Sequence, residues 1–464
     1  MKARIVVIAG LLPVWAGMGS CTKFVALPPP STQLSTVSIF ASDASATSFL
    51  MGTYSQVMGN MGGILNGGLL FGSLSADELT TTGQNAVDND FANNSLHPDN
   101  SKIAGLYSSA YRTIYSVNMM LENLPAVAGD TAGTMRILRG EAHFLRAILY
   151  GYLEDLFGPV PLVLGTDVKI NAIEPRSSPE LIDRRIMADL LAADSLLNGS
   201  YVTSFADPAA RTRPNKWSVR ALLARVYLFH GDWPGAIAAA TDVINSGSYR
   251  LEAALDSVFL ANSREAIWQL QPVNADMNTA EGFLFLPPDV LSVKPTYSLT
   301  GWLLQAFEPA DQRLIHWTRS RVIGGTSYVY PYKYRVNTGI YPCRENNMVL
   351  RLAEQYLIRA EARAQQGLIP EAIDDLNKIR DRAGLAPLTG NMTPIQVLAA
   401  VAQERRIELF AEWGHRWADL KRTGVADAVL APIKQGWVHT DQVYPIPLTE
   451  LQRNPNMVQN PGYE

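Results

Sequence analysis

The sequence predicts a mostly α-helical protein, tetratricopeptide-like helical hairpins stacked into a single superhelical body. Three observations carry this expectation. Apolar side chains recur with helical spacing over long stretches, a helix–Gly–Pro–helix pattern occurs twice, and one Pro- and Gly-rich region interrupts the helices. Of the 464 residues, 47% are hydrophobic and 18% charged, which suits a globular chain with a sizeable core. Length alone would also allow two or three domains. The formal net charge of −4 supplies no polybasic face, so nucleic-acid binding is disfavoured.

The chain opens with Lys2 and Arg4, an apolar run over 5–12, and the small residues Gly17, Gly19 and Ser20 before Cys21. A basic start, a short apolar stretch and a small-residue cleavage region predict a secretory signal over 1–20. The apolar run falls well short of the roughly 20 residues a membrane-spanning helix needs. Gly17-Met18-Gly19-Ser20-Cys21 resembles a bacterial lipobox, which makes Cys21 the expected lipidation site. Residues 21–36, with Pro28, Pro29 and Pro30, then read as a stiff tether, and 37–464 as the body. The chain has two cysteines. If Cys21 carries lipid, Cys343 has no intrachain partner and no disulfide framework is expected.

Within the body, one predicted helix carries Ala142, Leu145, Ile148, Leu149, Tyr152, Leu153 and Leu156 on a stripe, and another carries Val219, Leu222, Leu223, Val226 and Tyr227. A third, from Val349, carries Leu352, Ala353, Tyr356, Leu357, Ala360 and Ala364. Thr393-Pro394-Ile395-Gln396 is a capping-box helix start, and Ser178-Pro179 a less complete one. The repeat pairs Ala224, Gly231, Pro234, Ala236 and Ile237 with Ala360, Gly367, Pro370, Ala372 and Ile373, each 136 positions further on. Gly ends the first helix of each copy in the left-handed conformation, and Pro sits near the start of the second. Such hairpins serve either as a partner-binding scaffold or simply as packing.

Residues 271–344 break this pattern. Nine aromatics fall within 297–341: Tyr297, Trp302, Phe307, Trp317, Tyr328, Tyr330, Tyr332, Tyr334 and Tyr341. The alternation of Tyr328, Tyr330, Tyr332 and Tyr334 predicts a short strand with one aromatic face. The segment reads either as an irregular cap packed by aromatics or as a platform for sugar rings, because aromatic faces stack on apolar C–H surfaces. On the second reading Trp302, Trp317, Tyr297, Tyr328 and Tyr330 are the candidate ligand-binding residues.

No catalytic residue is expected. Glu404, Glu408 and Glu412 fall on one helical face at i, i+4 spacing, interleaved with Arg405, Arg406 and Arg416. Carboxylates among arginines are held ionised, which suits a structural ion-pair network and spoils a general acid. The six histidines form no His-x-x-x-His or His-Glu-x-x-His pair, so no metal site is legible. Gly62-Gly63 and Gly67-Gly68 lack the Lys-Ser/Thr of a phosphate cradle and read as a mobile loop. There is no Gly-x-Ser-x-Gly elbow, and Cys343 reads as a quiet thiol.

Certain motifs follow one another along nearly the whole mature chain. They are Pro29-Pro30-Ser31-Thr32-Gln33-Leu34, Leu74-Ser75-Ala76-Asp77-Glu78-Leu79, Arg139-Gly140-Glu141-Ala142-His143-Phe144-Leu145-Arg146 and Leu156-Phe157-Gly158-Pro159. Glu404-Arg405-Arg406-Ile407-Glu408-Leu409, Gly414-His415-Arg416-Trp417 and Asp419-Leu420-Lys421-Arg422 come next, then Tyr444-Pro445-Ile446-Pro447 and Asn460-Pro461-Gly462-Tyr463. In this order and spacing they resemble the SusD/RagB-like outer-membrane nutrient-binding lipoproteins of Bacteroidetes. The resemblance implies a helical binding protein, not an enzyme, held at the outer membrane through Cys21 and without a cofactor. Its implied partners are a SusC-like TonB-dependent transporter and an oligosaccharide or peptide ligand. A peptide- or protein-binding surface lipoprotein is the other reading. After Cys21, Thr22-Lys23-Phe24 lacks the acidic residues that often flag surface export, and 297–341 lies where family members differ most.

Overall fold

Small residues at helix crossings and glycines at helix ends set how this chain stacks. The computed structural model describes residues 36–83, 85–124, 133–202, 210–274, 276–338 and 344–464. Cys21, the expected signal segment, Tyr341 and Cys343 lie outside them. The principal helices are α1 (Asp43–Gly59), α2 (Ser101–Asn123), α3 (Thr134–Phe157), α4 (Pro179–Leu196), α5 (Lys216–Phe229) and α6 (Trp233–Asn245). After an irregular stretch come α7 (Leu352–Gln365), α8 (Ile369–Arg382) and α9 (Pro394–Glu408). Each packs on the next in a continuous run: α2 on α3, α3 on α4, α4 on α5, α5 on α6, α6 on α7, and α7 on both α8 and α9. The protein is mostly helical, and its helical hairpins stack in the tetratricopeptide-like manner expected from the sequence.

The repeat appears as two matching corners. Gly231 and Gly367 have φ of 71° and 77°. Asp232 N–H donates to the Tyr227 carbonyl and Leu368 N–H to the Arg363 carbonyl, both at 2.9 Å, closing α5 and α7 in the same way. Pro234 and Pro370 sit in the first turns of α6 and α8, where a missing N–H costs nothing. Ala224, Ala236, Ala360 and Ala372 are fully buried where these helices meet. The capping box at Thr393 forms as expected, with Gln396 N–H to Thr393 Oγ1 at 3.3 Å and Thr393 N–H to Gln396 Oε1 at 2.8 Å. Pro179 starts α4, but Ser178 makes no side-chain cap bond.

Two expectations need correction. Val349 does not begin a helix. It lies in the buried strand Asn347–Arg351, which pairs antiparallel with Ala266–Leu270, and α7 starts only at Leu352. Nor is the glycine loop exposed and free. Gly62 N–H donates to the Asn66 carbonyl at 2.7 Å, and Ile64 and Leu65 are buried. A Cβ on Gly68 would meet Leu106 at 2.4 Å and the Gly63 carbonyl at 2.5 Å. These glycines allow close backbone approach.

The tyrosine alternation does form a strand, with shifted bounds. Thr326–Pro331 pairs antiparallel with Thr318–Ile323 across Gly324 and Gly325, whose φ values of 58° and 80° suit a two-residue hairpin turn. Tyr328 and Tyr330 share one face, and Tyr332 and Tyr334 lie beyond the strand. Among the described residues no helix is long and apolar enough to cross a membrane.

Candidate ligand-binding cleft

Four chain segments, 76–80, 92–95, 299–302 and 433–436, converge on a cleft of about 810 Å³. That is in the upper range of small-molecule sites. Two walls come from a short antiparallel ladder, Leu79–Thr81 against Tyr297–Leu299, in register Leu79–Leu299, Thr80–Ser298 and Thr81–Tyr297. Thr300 N–H continues it by donating to the Glu78 carbonyl at 2.9 Å. The Thr300 hydroxyl donates to the Asp77 carbonyl at 2.5 Å and caps the turn Gly301–Leu304 by accepting from Leu303 N–H at 3.1 Å. This places Trp302 on the first turn, 55% exposed and lining the cleft. Arg406 Nη2 holds the Trp302 carbonyl from behind at 3.1 Å.

The remaining lining is polar. Thr80, Asn93, Ser95, Thr300 and Gln435 offer donors and acceptors, and Asp77 and Lys434 are the charged members. Burial pushes the Asp77 carboxyl up, but Arg416 and Arg406 outweigh it and hold the group below the usual carboxylate range. Burial takes the Lys434 ammonium down to about 7, with only Asp77 opposing. An exposed indole beside neutral hydrogen-bonding side chains is the chemistry of a sugar subsite: C–H faces stack on the ring while hydroxyls exchange hydrogen bonds.

Of the five aromatics singled out in the sequence, Trp302 is the one that lines this cleft. Trp317 is 1% exposed, with Nε1 donating to the Leu255 carbonyl at 3.0 Å and ring contacts to Phe259 and Phe410 at 5.7 and 6.5 Å. Both faces are covered, so the expected stacking role does not fit it. Tyr297 is buried, its hydroxyl donating to Asp88 Oδ2 at 2.9 Å, and it builds the ladder instead of facing the cleft. Tyr330 is buried on the hairpin, and Tyr328 is half-buried there beneath Lys294. Asp77, Asn93, Ser95, Lys434 and Gln435 were missed. Asp77 stood inside the Leu74–Leu79 motif, whereas nothing local marks Lys434.

The carboxylate cluster is an ion-pair core, with partners other than the interleaved arginines. Glu408 accepts from Arg351 at 2.6 Å, Arg313 at 3.0 Å and Arg382. Burial raises its carboxyl, yet Arg382, Arg351 and Arg313 together hold it well below the ordinary range. Glu412 accepts from Lys333 at 2.5 Å and Arg351 at 2.8 Å. It lies beyond the end of α9, so the single helical face reaches only Glu404 and Glu408. Glu404, bound by Arg313 at 2.5 Å, is pulled up by burial on balance rather than held low. Arg405 pairs with Asp419, and Arg406 and Arg416 with Asp77. Among the described residues no cluster of His, Cys, Asp and Glu could hold a metal ion.

Two family models match the chain: the SusD family over residues 316–463, and a family described as starch-binding, associating with the outer membrane, over 29–228. The chain belongs to the SusD/RagB-like family. It is 26% identical over 442 residues to SusD-like protein P2 of Formosa agariphila, covering 82% of this chain and 84% of that protein. A SusD superfamily crystal structure from Bacteroides vulgatus superposes with a TM-score of 0.78 at 20% identity, over 92% of this chain and all of that one (100%). A laminarin-binding SusD-like protein superposes with a TM-score of 0.76 at 25% identity, over 90% of this chain and 99% of that one.

Proposed function

We propose that this chain is a surface lipoprotein that captures an oligosaccharide in the Trp302 cleft and delivers it to a SusC-like TonB-dependent transporter. The observation that carries the reading is a half-exposed indole on a capped turn, set in a roomy cleft lined mainly by uncharged hydrogen-bonding side chains. A laminarin-binding protein of the same fold supports a saccharide over a peptide. Capture without chemistry also fits the charged groups. The paired carboxylates of the ion-pair core are sealed from solvent, where no substrate reaches them. The lipobox-like Gly17–Cys21 stretch supports anchoring through Cys21.

Calorimetric titration of the mature chain against oligosaccharide and peptide panels tests this reading. A saccharide that binds, and binds more weakly to Trp302→Ala, supports it. A peptide ligand with no saccharide binding overturns it. The anchor is checked separately: Cys21→Ser is expected to release the protein from membranes, and unchanged membrane retention would contradict lipidation there.

A further inference from the structure

The charges around the cleft do not balance. Asp77 already serves two guanidinium groups: Arg416 Nε reaches Oδ1 at 2.7 Å, Arg416 Nη2 reaches Oδ2 at 3.1 Å, and Arg406 Nη2 reaches Oδ2 at 2.6 Å. Its side chain is 3% exposed, so its acceptor capacity is spent on the protein. Lys434 faces the same space without a carboxylate of its own. Its Nζ donates to the Leu74 carbonyl at 2.5 Å and the Ala92 carbonyl at 2.9 Å, which leaves one ammonium hydrogen uncommitted. Elsewhere the chain gives a buried ammonium a counter-ion, Glu412 for Lys333 and Asp155 for Lys421. The neighbouring acid Glu78 is buried, pushed up to about 7 by burial, and accepts from Ala411 N–H at 3.2 Å. With Lys434 protonated, Lys434 in the lining and Arg406 and Arg416 behind it outnumber Asp77 and Glu78 by one positive charge even when Glu78 is ionised, and by two when it is not, in a chain whose formal net charge is −4.

A cation withdrawn from water and lacking a counter-ion is unfavourable, and an arriving anion relieves that cost. We propose that the cleft selects an acidic oligosaccharide, its carboxylate or sulfate group engaging Lys434 while a neighbouring ring lies on Trp302. This rests on the reading of the cleft as a saccharide site and narrows its ligand class. The depressed ammonium fits the same picture, because a bound anion restores the proton that burial disfavours. Uronates and sulfate esters share the required chemistry, since both present oxygens to a charged donor.

A glycan array carrying neutral, uronate-bearing and sulfated oligosaccharides, probed with the mature chain, gives the first test. The strongest signals are expected from acidic glycans, and the uronate and sulfate arms show which anion is taken. The best acidic ligand is then titrated beside its methyl-esterified or desulfated derivative, where an affinity loss of about ten-fold or more is expected for a charge-assisted hydrogen bond. Lys434→Met at an unchanged melting temperature should erase that difference, and Lys434→Arg should retain part of it. If Lys434→Met does not fold, the wild-type chain still decides, because affinity for the acidic ligand must fall as NaCl rises from 50 to 500 mM. Equal affinity for the neutralised derivative, a salt-insensitive acidic ligand, or a folded Lys434→Met that keeps the acidic preference would overturn the inference and leave saccharide capture standing. Absence of any saccharide binding would overturn the underlying reading as well.

Discussion

Trp302 and Trp317 lie fifteen positions apart in the same aromatic-rich stretch and meet opposite fates. Trp302 is 55% exposed on a capped turn, held from behind through its backbone carbonyl. Trp317 is 1% exposed, and Lys333 and Arg382 lie 4.7 and 5.7 Å from its ring centre. What surrounds each explains the difference. Trp302 follows a Thr300 cap that directs a single turn outward, whereas Trp317 follows a short helix whose Arg313 is anchored in the ion-pair core. An aromatic residue in an irregular segment is therefore a binding candidate only once its neighbours are known. One indole is open at the cleft, and the other is packed in the core against Phe259 and Phe410.

The comparison can be broken most severely at the core. Glu408→Gln removes one carboxylate from Arg313, Arg351 and Arg382 and leaves three buried guanidinium groups short of charge, which should cost about 3–5 kcal/mol in chemical denaturation. Trp317→Ala should cost a similar ~3–5 kcal/mol through the cavity it opens, without changing ligand affinity in the fraction that stays folded. A Trp317→Ala protein of wild-type stability that had lost binding would reverse the assignment of the two tryptophans.

Acid probes the same core more gently. Burial raises Glu354 and Glu408, but Arg225 beside Glu354 holds it at about 2, and the three arginines hold Glu408 well below the ordinary range. Unfolded carboxyls titrate near pH 4.3. Between that value and the folded ones the unfolded chain binds more protons, so the stability these groups contribute is present above pH 4.3 and is lost as pH falls. The loss is about 1.4 kcal/mol per pH unit per group at most. Glu281 and Glu345, pushed up to about 7 by burial, are protonated in both states below pH 4.3 and add no slope there, whereas between pH 6 and 4.3 the folded chain binds more protons at them and they oppose the trend. Urea denaturation at pH 4, 3.5 and 3, below the range where the raised carboxyls titrate, measures this, and Glu408→Gln should flatten the dependence.

Much of the fold was legible because it rests on local rules. The Gly231 and Gly367 corners, the Thr393 capping box and the apolar stripes of α3 and α5 follow from spacing alone. The errors came where tertiary context decides. Val349 continues the apolar spacing of α7 but pairs in a strand with Ala266–Leu270, a partner about eighty positions away. Gly68 reads as flexible until Leu106 is packed against it. The cleft was half legible. Trp302 stood out as an aromatic, but Lys434 became a site residue only when the backbone carbonyls of Leu74 and Ala92 came to meet it. Carbonyl partners leave no mark in side-chain pattern.

The proposed division is between an exposed indole that binds ligand and a buried one that packs the core. Trp302→Ala measured for ligand affinity and melting temperature together tests it most directly. A lost stacking face should weaken saccharide binding by about 0.5–1.5 kcal/mol while the melting temperature stays at the wild-type value. Full affinity in a normally folded Trp302→Ala protein, for a saccharide the wild type binds, would contradict it.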